Sequence, residues 1–447
     1  MKTIFQRKIY NKLIDFKKHN GDCALLIEGA RRIGKSTIVA EFGKKEYKSC
    51  IFLDFEKDGN LAREPFEQLP NLTRFFQVLM TNYKTRLYHR DSLIVFDEVQ
   101  LFPRARQAIK ELVSDGKYDY IETGSLISIR KNVKDILIPS EEETICMFPL
   151  DFEEFLLIRG EDMLVEAMKA AFEKKEPLIE SIHQQLLREF NRYLFVGGMP
   201  QPNAYDLEGQ PFQDIERQKR LILDIYKNNA AKLDREERVK TGVILKSLPS
   251  QLQSEYRLFK TSTIFKQNNL KKENTIYDLE DSMMVNICYA LSQTSVDFNL
   301  YANPNRFKLY MNDTGLLNSM IFQDSDSEEE ETFLKSIVGG KSATNRGYLY
   351  ENVVAQLLVS SGRKLYKYIY NDEEKKKAYE LDFVIIRGNK LVPIEVKSAS
   401  SRNHSSLDKI TSRFPSAFTK PIILSNSNLH IEKEADFYPV YMASLLK

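Results

Sequence analysis

Eight consecutive residues, Gly29-Ala30-Arg31-Arg32-Ile33-Gly34-Lys35-Ser36, have the types and spacing of a loop that wraps phosphate. Glycines let such a loop curl so that backbone N–H groups point inward at the anion. Lys35 would reach the β- and γ-phosphates of ATP, and Ser36 would offer its hydroxyl to Mg²⁺. A helix starting at Lys35 turns its positive end toward the same charge, with Thr37 in its first turn. The candidate nucleotide contacts are therefore Gly29 through Thr37. Further along, the apolar run Leu93–Phe96 ends in Asp97-Glu98. Asp97 fits the acid that holds Mg²⁺, and Glu98 fits the base that orients the attacking water. The next apolar run ends Glu122-Thr123-Gly124-Ser125, where Thr123 or Ser125 would sense the γ-phosphate, and a plain turn fits equally well. Phosphoryl transfer also calls for a complementing arginine. Arg104, Arg106, Arg130, Arg188, Arg192 or an arginine of another subunit would serve, while Arg31 and Arg32 inside the loop face the nucleotide or a partner.

A second constellation lies near the C-terminus, in Asp382 and Glu395-Val396-Lys397, the D…E-x-K pattern of restriction-type nucleases. Gly388-Asn389 suits a two-residue hairpin loop. Counting outward from it sets Asp382 opposite Glu395, with Lys397 two residues on and on the same face. Two carboxylates and a lysine so placed would hold Mg²⁺ and a water nucleophile. Glu351, on the preceding helix, matches the extra acid that many such nucleases put beside the metal. The same register sets Glu380 against Lys397, so an ordinary cross-strand ion pair is the competing reading. Residues 341–447 carry 17 Lys+Arg against 11 Asp+Glu, a local balance of +6 that suits weak contact with a nucleic-acid backbone.

The elements that must position these residues alternate. CALLIEG (23–29), SCIFLDF (49–55), SLIVFDE (92–98) and YDYIETGS (118–125) read as continuously apolar strands, separated by helical stretches such as Lys35–Phe42 and 104–116. That is the pattern of a parallel sheet covered on both faces, an α/β nucleotide-binding fold. Residues 1–20 read as an amphipathic helix. Residues 151–230 read as helices broken at Gly197–Pro200, and helices dominate onward to Thr314 with a β-like piece at 307–313. DSDSEEEE (324–331), six acids in eight residues, reads as a solvated connector. Beyond it a helix, several strands and a further helix follow.

The chain has 447 residues, 42% apolar and 29% charged, with a net charge of +2. That length corresponds to about two to four domains, and the balance is that of a folded soluble protein with no global pull toward nucleic acid. No run of 18 apolar residues occurs, so no membrane-spanning helix is expected. The N-terminus lacks a signal-peptide core, which points to the cytoplasm. Cys23, Cys50, Cys146 and Cys288 have no paired spacing and read as buried free thiols.

At GARRIGKST, LIVFDEVQ, IETGS, FPLDFEEFL, FVGGMP and YMNDTGLL the chain resembles the large prokaryotic family of AAA-type ATPases that carry a C-terminal domain of unknown function. The resemblance implies an ATPase domain over 1–150, a helical lid over 151–235, a winged-helix-like segment over 236–322, an acidic linker over 323–346 and a restriction-nuclease-like α/β domain over 347–447. It also implies a homo-oligomer or protein partner, with DNA as a further partner to test. Relatives usually place a Gly-Arg shortly before Pro-Leu-x-Phe. Here that region reads EEETICMFPLDF, so no arginine stands there.

Overall fold

A computed structural model describes residues 5–19, 21–124, 140–229, 235–254, 258–262, 275–322, 332, 347–397 and 405–446. It divides into two compact units, Met1–Phe148 with Asp281–Met283, and Pro149–Glu280 with Met284–Lys447.

The first unit is built on five parallel strands: β1 (Ala24–Glu28), β2 (Ser49–Asp54), β3 (Ser92–Asp97), β4 (Asp119–Gly124) and β5 (Glu142–Cys146). Their order is β2-β3-β4-β1-β5. Every residue of β1, β3 and β4 is buried, as strands covered on both faces require. The strand between the two phosphate motifs in sequence, β2, lies at the sheet edge. The strand that separates them in space is β4, between β1 and β3. The carboxyl ends of β1, β3 and β4 thus stand side by side, where open α/β sheets bind ligands. Helix Lys35–Glu46 is four residues longer than the sequence pattern suggests.

The second unit begins with helices Phe152–Leu157, Asp162–Lys174, Glu180–Val196, Pro200–Leu207, Phe212–Asn229 and Arg235–Gln253. Three of the motifs that carry the resemblance meet here. Asp151 caps its helix by accepting from Glu154 N at 2.9 Å, and Glu154 accepts from Asp151 N in return, a capping box. Leu150 N donates to Gly198 O at 2.7 Å. Asp313, fully buried, accepts from Gly198 N at 2.5 Å and caps helix Thr314–Ile321 through Leu316 N at 2.9 Å. FPLDFEEF, FVGGMP and YMNDTGLL therefore pack together, joined by the Leu150–Gly198 backbone bond and the Asp313 carboxylate.

Two sheets follow. One orders β7 (Ala302–Met311), β6 (Val285–Leu291), β8 (Leu365–Asp372) and β9 (Lys377–Leu381); the other orders β10 (Phe383–Arg387), β11 (Lys390–Val396), β12 (Ile422–Ser425), β14 (Asp436–Pro439) and β13 (His430–Ile431). The chain crosses from one sheet to the other at Asp382. β6 pairs in parallel with β8, so one sheet joins the segment expected to be winged-helix-like to the segment expected to be a separate C-terminal domain. The expected linker at 323–346 lies outside the described residues except for Thr332. All four cysteines are free, but only Cys288 is buried, and Cys146 is exposed. No helix among the described residues is long and apolar enough to cross a membrane.

Candidate functional site

The loop after β1 closes on the helix that begins at Lys35. Gly34 caps that helix with φ 95°, a left-handed conformation that side chains rarely adopt. A Cβ on Gly29 would stand 2.5 Å from Met147 O, so only glycine lets the loop pass this close to the backbone after β5. Lys35 is buried, and its ammonium donates to Gly29 O at 2.8 Å and Ala30 O at 3.0 Å. Burial pushes its pKa down to about 8, against the pull of Glu98 and Asp97. Ile33 is buried; Arg31 and Ser36 are partly exposed; Arg32 and Thr37 are exposed.

Three hydroxyl and carboxylate groups converge beside the loop. Ser36 Oγ donates to Asp97 Oδ1 at 2.8 Å, and Thr123 Oγ1 donates to the same oxygen. Burial raises the Asp97 pKa, while the two hydroxyls pull it back. Glu98 adopts a left-handed backbone, φ 54°, which turns it out of the β3 line. Its N–H points at Thr123 Oγ1 at 3.4 Å, its carboxylate accepts from Gln100 Nε2, and Arg31 stands 3.9 Å away. Ser125 and Arg130 lie outside the described residues, so Thr123 is the polar group this structure places at the end of β4.

Arg106 is not free to reach a nucleotide. It is buried and forms two bonds with Glu142, at 3.0 and 2.7 Å. Arg192 is tied to Asp206 at 2.8 Å, whereas Arg104 and Arg188 are exposed. Two residues that the motif reading missed hold this region. Arg7, buried, donates to Ile33 O at 3.0 Å and Phe148 O at 2.6 Å and so pins the loop from behind. Gln100, also buried, holds Glu98. Gln100 carried a signal, two residues past Glu98 in an apolar context; Arg7 carried none.

The C-terminal register is as the hairpin loop requires, with Arg387 opposite Lys390 and Phe383 opposite Ile394. Asp382 lies in the bend before this ladder, where its Oδ2 accepts from Val396 N at 2.8 Å. Lys397 Nζ donates to Glu395 Oε1 at 2.5 Å, and Glu395 Oε2 is buried with no hydrogen-bond partner. Glu351 Oε2 accepts from Lys308 Nζ at 2.5 Å and from Tyr310 OH at 3.0 Å. Glu380 pairs with Lys367 of β8 instead of Lys397, because β9 turns into the other sheet before Asp382 and leaves Lys397 beside its own strand neighbour. Burial, then Glu351, Glu395 and Glu380, push the Asp382 carboxyl well above the usual range. Burial would raise Glu351 too, but Lys308 and Lys367 outweigh it and hold that carboxylate low. Lys308, Tyr310 and Lys367 were absent from the sequence reading. Among the described residues no three acids, histidines or cysteines stand close enough to hold a metal ion as they are.

Comparisons with known proteins divide the chain in three. Residues 22–156 match the model of an AAA domain, residues 187–327 match a domain of unknown function (DUF8612), and residues 346–444 match a second one (DUF4143). No curated protein matches the chain. Among solved structures, it is similar to the Orc1 protein of Aeropyrum pernix in complex with DNA, at 11% identity over 72% of this chain and 94% of that one, TM-score 0.29. It is also similar to a DNA replication initiation factor, at 15% identity over 74% and 91%, TM-score 0.25. A signal-transduction ATPase with a tetratricopeptide-repeat sensor from Pyrococcus horikoshii aligns at 12% identity over 80% of this chain and 48% of that one, TM-score 0.24. The matched model and the order of the five parallel strands identify the N-terminal part of this chain as an AAA-type P-loop ATPase domain.

Proposed function

We propose that the chain hydrolyses ATP at the loop Gly29–Ser36. The observation that carries this is the convergence of Ser36 Oγ and Thr123 Oγ1 on Asp97 Oδ1 beside a buried Lys35. Ser36 and Asp97 together present the hydroxyl and carboxylate oxygens that Mg²⁺ prefers, so the residues fit that ion. Bound there, it would neutralise charge on the β- and γ-phosphates. Lys35 exchanges its two loop carbonyls for phosphate oxygens. Glu98 orients water, with Gln100 and Arg31 fixing its carboxylate. Thr123 reports the γ-phosphate to Asp97. Phosphate release by the wild type, lost in Lys35→Ala, is the expected result. Turnover that survives in Lys35→Ala would place the activity elsewhere.

For the rest of the chain, a coupled nuclease-like domain that cuts DNA and a nucleotide-switched docking module for DNA or protein are the two readings. The pairing of Glu351 with Lys308 and of Glu395 with Lys397 favours the second, since those ammonium groups already occupy the acids. Incubation with linear, circular and single-stranded DNA under Mg²⁺ and Mn²⁺, with and without ATP, separates them. Binding without cleavage is expected. Cleavage that stops in Asp382→Ala would establish the nuclease.

A further inference from the structure

Phosphoryl transfer calls for a cation beyond the loop lysine, to meet the charge that develops on the γ-phosphate. Arg106 and Arg192 are spent on Glu142 and Asp206. Arg31 stands within the phosphate loop itself. Its Nη2 lies 3.9 Å from Glu98 Oε2, and the two side chains are 19% and 20% exposed. That is ion-pair distance, longer than a hydrogen bond. The pair draws the guanidinium toward the base and leaves it able to share a phosphate oxygen.

The neighbouring groups define where this guanidinium sits. Lys35 Nζ donates to Gly29 O and Ala30 O, the two carbonyls that precede Arg31. Arg31 is close enough for its charge to help lower the Lys35 pKa. Two like charges therefore share the loop, one of them on a buried lysine, and a polyphosphate anion between them would relieve their repulsion. The next residue turns away from this arrangement: Arg32 has a left-handed backbone, φ 66°, and is exposed. The loop that carries Arg31 is braced by the bond from Arg7 to Ile33 O and by the close approach of Gly29 to Met147 O. A cation carried on a braced backbone is already oriented when substrate arrives.

We propose that Arg31 completes the ATPase site from within its own loop, donating to a γ-phosphate oxygen while its charge holds Glu98 beside the attacking water. This rests on the ATPase reading above and adds the arginine to it. In the step, the water oxygen bonds to the γ-phosphorus and passes a proton to Glu98. The bond from that phosphorus to the bridging oxygen breaks, and its electron pair leaves with ADP. Arg31 and Lys35 offset the negative charge on the phosphate oxygens. A guanidinium suits this position because its planar fork of N–H groups can meet a carboxylate and a phosphate oxygen at once. No arginine of a second chain is then required.

The test uses the full chain, as wild type, Arg31→Ala, Arg31→Lys and Lys35→Ala. Arg31→Ala is expected to lower kcat at least about 10²-fold while KM for ATP rises less than about tenfold, and Arg31→Lys to recover only part of the loss. ADP–aluminium fluoride, a mimic of the transferring phosphoryl group, separates direct contact from mere steering of Glu98. In a Glu98→Gln background, Arg31→Ala should still weaken the mimic at least about tenfold and leave ADP within about threefold. Mixing Arg31→Ala with Lys35→Ala should restore no turnover. Restored turnover would mean that one chain lends its arginine to another, and it overturns the proposal. So does a kcat for Arg31→Ala at or above the wild type, or a mimic bound equally with and without Arg31 in the Glu98→Gln background. Should Arg31→Ala melt well below the wild type, Arg31→Gln replaces it and is read the same way. A wild type that releases no phosphate brings down the ATPase reading and this proposal together, whereas wild-type turnover that Arg31→Ala retains removes Arg31 alone.

Discussion

Arg106 offers the sharpest separation between a structural and a catalytic arginine. Its side chain is 6% exposed and that of Glu142 is 2% exposed. Beside them Glu122 on β4 is fully buried against the Glu142 carboxyl. Burial and the neighbouring Glu142 push the Glu122 carboxyl well above its usual range. The guanidinium is thus the counter-charge for a pocket of two acids within the sheet core. Arg106→Met keeps the length and deletes the charge. Removing one partner of a buried pair costs about 3–5 kcal/mol, because the other is left uncompensated. In a unit of this size each kcal/mol moves Tm by about 2–4 °C, so a drop of about 6–20 °C is expected. The double variant Arg106→Met/Glu142→Met removes both charges and should return to within about 2 kcal/mol of the wild type. Thermal melts of the three proteins, with ATP turnover measured well below each Tm, read both quantities. Were Arg106 the arginine that completes the ATPase site, single and double variants would both lose turnover with little change in stability. That pattern, or a double variant as unstable as the single, refutes the reasoning.

Four further outcomes follow from the same geometry. Lys35, with its pKa pushed down to about 8, must carry its proton to meet phosphate, so ATP affinity should be flat below that pH. Above it, affinity should fall by up to about tenfold per unit, measured on the wild type with a non-hydrolysable ATP analogue because Glu98 itself helps to set the Lys35 pKa; an unchanging profile from pH 7 to 9 would sink this assignment. Glu98→Gln should keep ATP binding while turnover falls about 10²- to 10⁴-fold, and single-turnover kinetics would expose a base elsewhere if it does not. Thr123→Ala takes one of two hydroxyl donors from Asp97 and should lower kcat more than it raises KM for ATP. Burial raises the Glu122 pKa in the fold above its value in the unfolded chain. Stability from this group is therefore greatest at acid pH and declines as pH rises above the ordinary carboxylate range, and Glu122→Gln, which cannot titrate, should gain on the wild type as pH rises in urea melts.

What the sequence disclosed was what is local in it. The loop Gly29–Ser36 and the pair Asp97-Glu98 are contiguous, and their chemistry demands a fixed spacing. The β10–β11 register was readable because a two-residue loop at Gly388-Asn389 leaves no freedom in the count. Contacts between distant segments were not readable. Lys308 and Tyr310 alternate with buried Phe307, Leu309 and Met311, a period-two signal for a second buried face, but nothing local says that Glu351 fills it. Lys367, between Tyr366 and Tyr368, sends the same signal. The acid run at 324–331 suggested a boundary between domains, yet β6 and β8 pair across it, and a parallel pairing leaves no mark in composition. Arg106 stood among the candidate arginines because nothing local names its partner, which is 36 residues away on β5.

The C-terminal cluster also carries an argument in its charges. Glu351, Glu380, Asp382 and Glu395 are four carboxyl groups, and Lys308, Lys367 and Lys397 are three ammonium groups. Three ion pairs account for all three lysines: Lys308 with Glu351, Lys367 with Glu380, and Lys397 with Glu395. The remaining acid, Asp382, is the one whose pKa is driven well above the usual range, by burial first and then by the other three acids. A carboxyl driven in that direction moves the cluster toward charge balance with no ion present. A divalent cation entering here must reverse that shift or draw Lys397 off Glu395, and either step opposes binding. The same three pairs leave no uncompensated ammonium at this cluster for a nucleic-acid backbone or an acidic peptide, so an anionic partner would dock on another surface. Cutting at this face therefore requires a rearrangement that docking elsewhere on the chain does not, which is why the switched-docking reading fits these residues better than the nuclease reading.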